Sequence, residues 1–176
     1  MTGDHAVVVM GPSGAGKSAV GGALAALLGL PFVDADALHP ERNRAKMAAG
    51  TPLEDADRWP WLDVVGERLA RGRVVIACSA LKRRYRDHLR GFAPGTVFVE
   101  LRVDRAVLAD RMARREHFMP VSLLDSQLAA LEPLGGDEAG VVVGDDGPLD
   151  VVAGRCARLL LSDGERRDRP ESTPPS

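Results

Sequence analysis

Short apolar runs alternate with longer segments of mixed polarity along most of the 176-residue chain. The apolar runs predict five strands, near residues 5–10, 31–34, 74–80, 96–101 and 141–145. The other segments predict helices near residues 16–29, 40–49, 53–71, 82–91, 104–115, 121–131 and 148–161. Nearly continuous apolar strands that alternate with helices are typical of a parallel sheet covered on both faces. The pattern therefore predicts an α/β fold with a five-stranded parallel sheet flanked by helices and right-handed crossovers.

The chain has the length of a single domain, which we place at residues 1–161. The charged and proline-rich remainder, residues 162–176, is predicted to be a disordered tail. Hydrophobic residues make up 45% of the chain and charged residues 27%, which is ordinary for a soluble globular protein. The net charge of −2 gives no indication of a surface for nucleic acid or for a membrane.

Two further features of the sequence bear on the cellular compartment of the protein. No apolar run approaches the roughly 18 residues of a membrane helix, and the N-terminus lacks a signal-peptide pattern. Cys78 and Cys156 lack metal-ligand spacing and are predicted to be buried thiols in a reducing compartment. We therefore expect a cytoplasmic protein.

The clearest motif is GPSGAGKS, residues 11–18, directly after the first predicted strand. Its spacing, G-x-x-x-x-G-K-[ST], is that of a phosphate-binding loop whose backbone N–H groups surround a polyphosphate at a helix N-terminus. In this motif the lysine, Lys17, reaches the outer phosphates, and the hydroxyl of Ser18 can bind Mg²⁺. The nucleotide-binding residues predicted here are Gly11, Pro12, Ser13, Gly14, Ala15, Gly16, Lys17 and Ser18.

Two carboxylates, Asp34 and Asp36, follow the second predicted strand. Ligands of open α/β sheets gather beyond the carboxyl ends of the strands, where these residues lie. Asp36 is the candidate base that accepts the proton of a phosphoryl acceptor, and Asp34 is the candidate metal helper, acting through water. The alternative is a turn in which aspartate caps a helix.

Cations and polar groups follow in the run LHPERNRAKM and beyond it. Only three of the 23 basic residues are lysines, Lys17, Lys46 and Lys82, which makes the last two candidates for a specific role. A cation, an amide and an imidazole that converge on one surface suit a substrate with a carboxylate and several hydroxyls, and this run supplies them as His39, Arg42, Asn43 and Lys46. Arg58, further along the chain, is a candidate of the same kind. The alternative is a solvated helix face. Lys82 and Arg86, one helical turn apart after the third strand, are further substrate-binding candidates.

A basic stretch, RMARREHFM at residues 111–119, lies between two predicted helices. In small phosphoryl-transfer enzymes such a segment can form a lid that brings guanidinium groups to the reacting phosphoryl group and excludes water. Arg111, Arg114 and His117 are its candidate functional residues. The alternative is a basic turn on the surface.

Taken together, the stretches MGPSGAGKSAV, DADALHPERNRAKMAAGTPLEDADRWPWL, CSALKRRYRDHLR, REHFM and LEPL resemble the small gluconokinases, a branch of the P-loop kinases related to shikimate and adenylate kinases. The resemblance runs from about Val8 to about Leu160. It implies a P-loop nucleoside triphosphate hydrolase fold with a helical substrate-binding segment at about 36–71 and a lid at about 111–122. It also implies ATP and Mg²⁺ as cofactors, D-gluconate as the small-molecule substrate and a homodimer.

The resemblance also implies roles for the candidate residues. Lys17, Asp36 and Arg114 would be catalytic, and Arg111 would join the phosphate loop in binding ATP. The substrate would be bound by Asp36, His39, Lys46, Arg58, Lys82, Arg86 and His117. Two alternatives stay open at this point: another small-molecule kinase of the same fold, such as a shikimate-like kinase, and a nucleotide-binding module without transfer activity.

Overall fold

A computed structural model describes residues 5–114 and 122–167. Among these residues, five parallel strands form one sheet with the order β2-β3-β1-β4-β5. The strands are β1 (Val7–Met10), β2 (Phe32–Asp34), β3 (Val75–Ala77), β4 (Val97–Arg102) and β5 (Gly140–Gly144). The predicted fold class is confirmed.

The described helices connect and follow these strands. They are α1 (Lys17–Leu28), a short 3-10 helix (Ala35–Leu38), α2 (Glu41–Ala48), α3 (Asp55–Ala70), α4 (Arg83–Phe92), α5 (Arg105–Arg114), α6 (Ser122–Ala130) and α7 (Leu149–Arg167). None of the helices in this part of the chain is long and apolar enough to cross a membrane.

The central strand β1 shows how the core is divided. Successive side chains of a strand point to opposite faces of the sheet. Val7 and Val9 accordingly pack in one core cluster with side chains of α1, α5, α6 and α7. Val8 and Met10 pack in a second cluster with side chains of α3 and α4. Because β1 is buried on both faces, its four residues are all apolar.

Parallel pairing brings the functional segments to one edge. Val9 of β1 and Asp34 of β2 both pair with Ala77 of β3, so the three strands end at nearly the same level. The segments that leave β1, β2 and β3 are therefore neighbours at the carboxyl edge of the sheet. A hydrogen bond from the Gly11 N–H to the Ser79 carbonyl, 3.3 Å long, links two of them directly.

Two boundaries differ from the sequence prediction by more than two residues. Strand β3 ends at Ala77 instead of residue 80, because the chain turns there and Ala80 adopts a positive φ of 42°. The closing helix α7 continues to Arg167. Residues Ser162–Arg167 are therefore helical, whereas the sequence predicted that the disordered tail starts at Ser162. Residues 168–176 lie outside the described part of the chain.

Candidate active site

The phosphate loop joins β1 to α1 in a tightly curved conformation. Gly11, Gly14 and Gly16 have φ values of 147°, 84° and 87°, which side chains other than glycine rarely adopt. The Lys17 ammonium donates a hydrogen bond to the Pro12 carbonyl at 3.0 Å and so holds the loop closed on itself. Among the described residues, no side chain caps the N-terminus of α1. The loop thus presents the positive end of α1 to an anion.

Ser18 and Asp34 are in direct contact beside this loop. The Ser18 hydroxyl donates to Asp34 Oδ2 at 2.5 Å, and the Asp36 N–H donates to Asp34 Oδ1 at 2.9 Å. Asp34 therefore caps the 3-10 helix, as the structural alternative proposed, while its second oxygen faces the phosphate loop. The cap and the functional role are compatible because they use different oxygen atoms.

A first pocket opens at the carboxyl edge of the sheet. Five of the predicted residues line it, although they come from three separate segments of the chain: Ser13, Lys17, Asp36, His39 and Arg58. Its other lining residues are Met47, Pro52, Leu53, Ser79, Leu81, Leu123, Ser126 and Gln127. The cavity has a volume of about 40 Å³, which is room for about three water molecules.

His39 is a buried, uncharged member of this pocket. Its imidazole stacks on the indole of Trp61, with ring centroids 4.0 Å apart. Burial, and then the positive charges of Arg58 and Arg44, lower the pKa of His39 to about 4. The ring is therefore neutral at pH 7. Trp61 is buried and in turn donates from its indole N–H to the Ala35 carbonyl at 2.7 Å.

The two candidate lysines outside the phosphate loop are paired with acids. Lys46 donates to both carboxylate oxygens of Asp57, at 2.9 and 2.8 Å. The Lys82 ammonium lies 3.6 Å from Asp55 Oδ1, and 5.6 Å from the centroid of the Tyr85 ring. Neither lysine lines the first pocket. Their contact with a substrate stays a prediction.

Arg86 does not face the first pocket, and the prediction that it binds substrate is corrected. The side chain is 0% exposed and is paired with Glu138, which receives hydrogen bonds from Nε and Nη2 at 2.7 Å each. The remaining guanidinium hydrogens are directed to the carbonyls of Ala80, Leu81, Glu132 and Pro133. Because protein acceptors surround its N–H groups, Arg86 instead fixes the turn after β3 against the chain that precedes β5.

A second pocket lies on the other side of the phosphate loop, with a volume of about 350 Å³. Arg111 lines it, donates to the Gly14 carbonyl at 3.2 Å and forms an ion pair with Asp145. Arg114 lines it too, and its guanidinium lies 2.9 Å from Asp110. The other lining residues are Gly14, Gly16, Ala19, Val20, Gly147 and Leu149. His117 and most of the predicted lid lie outside the described residues.

The phosphate loop is therefore the wall between the two pockets. Ser13 and Lys17 face the first pocket, and Gly14 and Gly16 face the second.

Sequence analysis missed Gln127 of α6. The Ser13 N–H donates to Gln127 Oε1 at 2.7 Å, and Gln127 Nε2 donates to the Ser13 hydroxyl at 3.2 Å. This pair of hydrogen bonds holds α6 over the first pocket. The residues are 114 positions apart in the chain, and a single glutamine in a mixed helix has no sequence signal that separates it from a solvent-facing residue.

Comparisons with known proteins agree with this geometry. A family profile described as shikimate kinase matches residues 13–132. The chain is 50% identical over 152 residues to a gluconokinase of Gluconobacter oxydans (strain 621H), covering 83% of this chain and 85% of that protein. It is 44% identical over 163 residues to the thermoresistant gluconokinase of Escherichia coli (strain K12), covering 89% and 93%. The crystal structure of a gluconokinase from Sinorhizobium meliloti 1021 superposes with a TM-score of 0.80 at 51% identity, covering 93% of each chain.

Proposed function

This chain belongs to the gluconokinase family of P-loop kinases, as its sequence predicted, and on that premise we propose that it transfers the γ-phosphoryl group of ATP to the 6-hydroxyl of D-gluconate. The products are ADP and 6-phospho-D-gluconate. The observation that carries the proposal is the phosphate loop shared by two pockets. A phosphoryl group held by this loop has a nucleotide on one side and an acceptor on the other, as direct transfer requires.

The second pocket suits the nucleoside part of ATP. Its volume of about 350 Å³ lies within the usual range of small-molecule sites. Val20 and Leu149 supply apolar surface for a base. Arg111 and Arg114 supply positive charge beside the phosphate loop, where the nucleotide carries its negative charge.

The first pocket suits a polyhydroxylated acid. Arg58 offers a guanidinium that can bind a carboxylate through two parallel hydrogen bonds. His39 and Ser79 offer uncharged polar groups for hydroxyls. Gluconate carries both kinds of group. The pocket is small in this conformation. We therefore propose that α6 moves when the acceptor enters, and that the Gln127–Ser13 hydrogen bonds change with it.

Asp36 and Lys17 are the residues that we assign to the chemical step. Both line the first pocket. Asp36 accepts the proton of the 6-hydroxyl as its oxygen attacks the γ-phosphorus. Lys17 interacts with the phosphoryl oxygens and compensates their negative charge during transfer. Arg114, on the second-pocket side, is assigned to the leaving phosphates.

Mg²⁺ fits the pair formed by Ser18 and Asp34. A hydroxyl oxygen and a carboxylate oxygen lie together beside the phosphate loop, and Mg²⁺ prefers oxygen ligands of this kind shared with phosphates and water. Ser18 would bind the ion directly, and Asp34 would orient one of its water ligands. When bound, the ion neutralises phosphate charge.

The direct test is ADP formation from ATP and Mg²⁺ in a coupled assay, with D-gluconate compared against shikimate and nucleoside monophosphates. We expect ADP to form when D-gluconate is the acceptor, and not with shikimate or a nucleoside monophosphate. Asp36→Asn should lower kcat about 100-fold or more, because a general base contributes at least that much. Asp87→Asn is the matched control, since Asp87 is 54% exposed and pairs with Arg90 on the surface. ADP formation with another acceptor but not with D-gluconate would contradict the proposed substrate. A fully active Asp36→Asn variant would contradict the role of Asp36 as the base.

We also propose that the protein is a cytoplasmic homodimer, on the strength of the family resemblance. Light scattering coupled to size-exclusion chromatography measures the subunit number, and a monomer at micromolar concentration would refute that part of the proposal. Cell fractionation tests the location.

A further inference from the structure

A buried amide, Asn43 of α2, lies directly behind His39. Asn43 is 0% exposed. Asn43 Nδ2 donates to the Asp57 carbonyl at 2.8 Å and lies 3.3 Å from His39 Nδ1. The reaction proposed above does not use Asn43. Its Nδ2 is paired, but its buried Oδ1 has no hydrogen-bond partner among the described residues, and a buried polar atom without a partner costs stability.

The first of these contacts fixes the orientation of the amide. A backbone carbonyl can only accept a hydrogen bond, so the amide group that faces Asp57 must be the NH₂ group. The second hydrogen of that NH₂ group then points to His39 Nδ1. A flipped amide would place its oxygen against the Asp57 carbonyl oxygen and lose that hydrogen bond, and only an N–H at His39 Nδ1 could then bond to it.

The orientation of Asn43 in turn decides the state of His39. Nδ1 has to accept the hydrogen bond, so it carries no proton. The ring is neutral, because burial and the neighbouring Arg58 and Arg44 disfavour the imidazolium and lower its pKa to about 4. A neutral imidazole without a proton on Nδ1 carries it on Nε2.

The other groups around the ring agree with this state. Trp61 covers one face of the imidazole and contributes no charge. Arg58, Lys17 and Asp36 line the same pocket as His39, and two of these three are cations that oppose protonation. With Nδ1 directed to Asn43, Nε2 is the nitrogen left to serve the first pocket.

We propose that Asn43 is a positioning residue that holds His39 in its Nε2–H tautomer, so that the imidazole donates one hydrogen bond to a hydroxyl oxygen of the acceptor. This inference rests on the proposed function for the identity of the acceptor, but not for the tautomer. A donor in a buried pocket selects against acceptors that lack the matching oxygen, because the N–H would then be left unpaired.

The tautomer is measured on the full-length protein without any turnover. Long-range ¹H–¹⁵N correlation spectra distinguish a protonated from an unprotonated imidazole nitrogen, and a His39→Gln sample identifies the signals of this ring among the four histidines. We expect the Nε2–H form in the wild type at pH 7. Asn43→Ala should give a mixture of tautomers. A wild-type ring with its proton on Nδ1, or an imidazolium, overturns the inference.

A pair of His39 variants tests the consequence for substrate binding. The glutamine amide can place an N–H near the position of Nε2, whereas the asparagine amide reaches only the position of Nδ1. We expect His39→Gln to change the KM for gluconate less than 3-fold, and His39→Asn to raise it about 10-fold, the effect of one lost hydrogen bond of about 1.4 kcal/mol. The KM for ATP should not change in either variant.

The outcomes separate the two proposals. Equal KM values for gluconate in the two His39 variants would overturn the donor role, even if the tautomer is as expected. Absence of any turnover of gluconate by the wild type would refute the proposed function, while the spectra would still decide the tautomer. If Asn43→Ala does not fold, the wild-type spectra still decide the tautomer of His39, and the His39 pair still decides its donor role.

Discussion

The buried pair of Arg86 and Glu138 gives the sharpest prediction about stability. Both side chains are almost fully inaccessible, 0% and 1% exposed. Replacement of Arg86 by methionine keeps most of the volume and removes the charge. Glu138 would then keep its hydrogen bonds from the Gly135 N–H at 3.0 Å and from Arg90 at 3.0 Å, but would lose its two shortest ones.

The magnitude follows from two independent arguments. Burial alone would raise the pKa of Glu138, but hydrogen bonds from Arg86, Gly135 and Arg90 lower it from 4.5 to about 2. A shift of that size corresponds to about 3 kcal/mol for all the donors together, and Arg86 is the largest contributor among them. Removal of one partner from a buried ion pair typically costs about 3–5 kcal/mol. We therefore expect Arg86→Met to lower the free energy of unfolding by about 3–5 kcal/mol at pH 7.

The dependence on pH has a definite sign. The pKa of Glu138 is lower in the folded protein, so its contribution to stability is complete above pH 4.5 and is lost as the pH falls through 4.5 towards 2. The difference in stability between wild type and Arg86→Met should therefore shrink as the pH falls. Other carboxyl groups titrate in both proteins and cancel in this difference.

Urea unfolding, followed by tryptophan fluorescence at several pH values between 7 and 3, provides the measurement. Arg105→Met is the matched control, because Arg105 and its partner Asp125 are 59% and 67% exposed. We expect that control to change stability by less than about 1 kcal/mol. A loss below 1 kcal/mol for Arg86→Met would refute the argument. If Arg86→Met instead raised the KM for gluconate strongly and left stability unchanged, Arg86 would be a substrate-binding residue after all.

Two further variants test the surroundings of the phosphate loop. Asp34→Asn should raise the Mg²⁺ concentration for half-maximal activity about 10-fold, because residues that orient metal-bound water typically have effects of this size. A Mg²⁺ titration curve identical to that of the wild type would contradict the role of Asp34. Gln127→Ala removes both hydrogen bonds to Ser13, so we expect stability to fall by about 1–3 kcal/mol and the Ser13 amide to exchange faster with solvent. Unchanged hydrogen exchange at Ser13 would show that α6 does not hold the loop.

Features whose contacts are local could be predicted from the amino-acid sequence alone. The phosphate loop is one uninterrupted motif after an apolar strand, and its conformation depends on glycines at Gly11, Gly14 and Gly16. The strands and their parallel arrangement followed from apolar runs separated by helices. The rule that ligands gather at the carboxyl edge then placed Asp36 beside Lys17, and the structure has both in one pocket.

Which charged groups pair with each other, and which line a pocket, depends on how distant segments of the chain pack together. Arg86 was indistinguishable in sequence from a substrate-binding arginine, because its partner Glu138 is 52 positions away. Lys46 likewise is paired with Asp57, and Ser13 with Gln127. A charged or amide group has no intrinsic preference for substrate over a protein partner. Its role depends on distances that arise when separate segments pack together, and these distances are set by the fold as a whole.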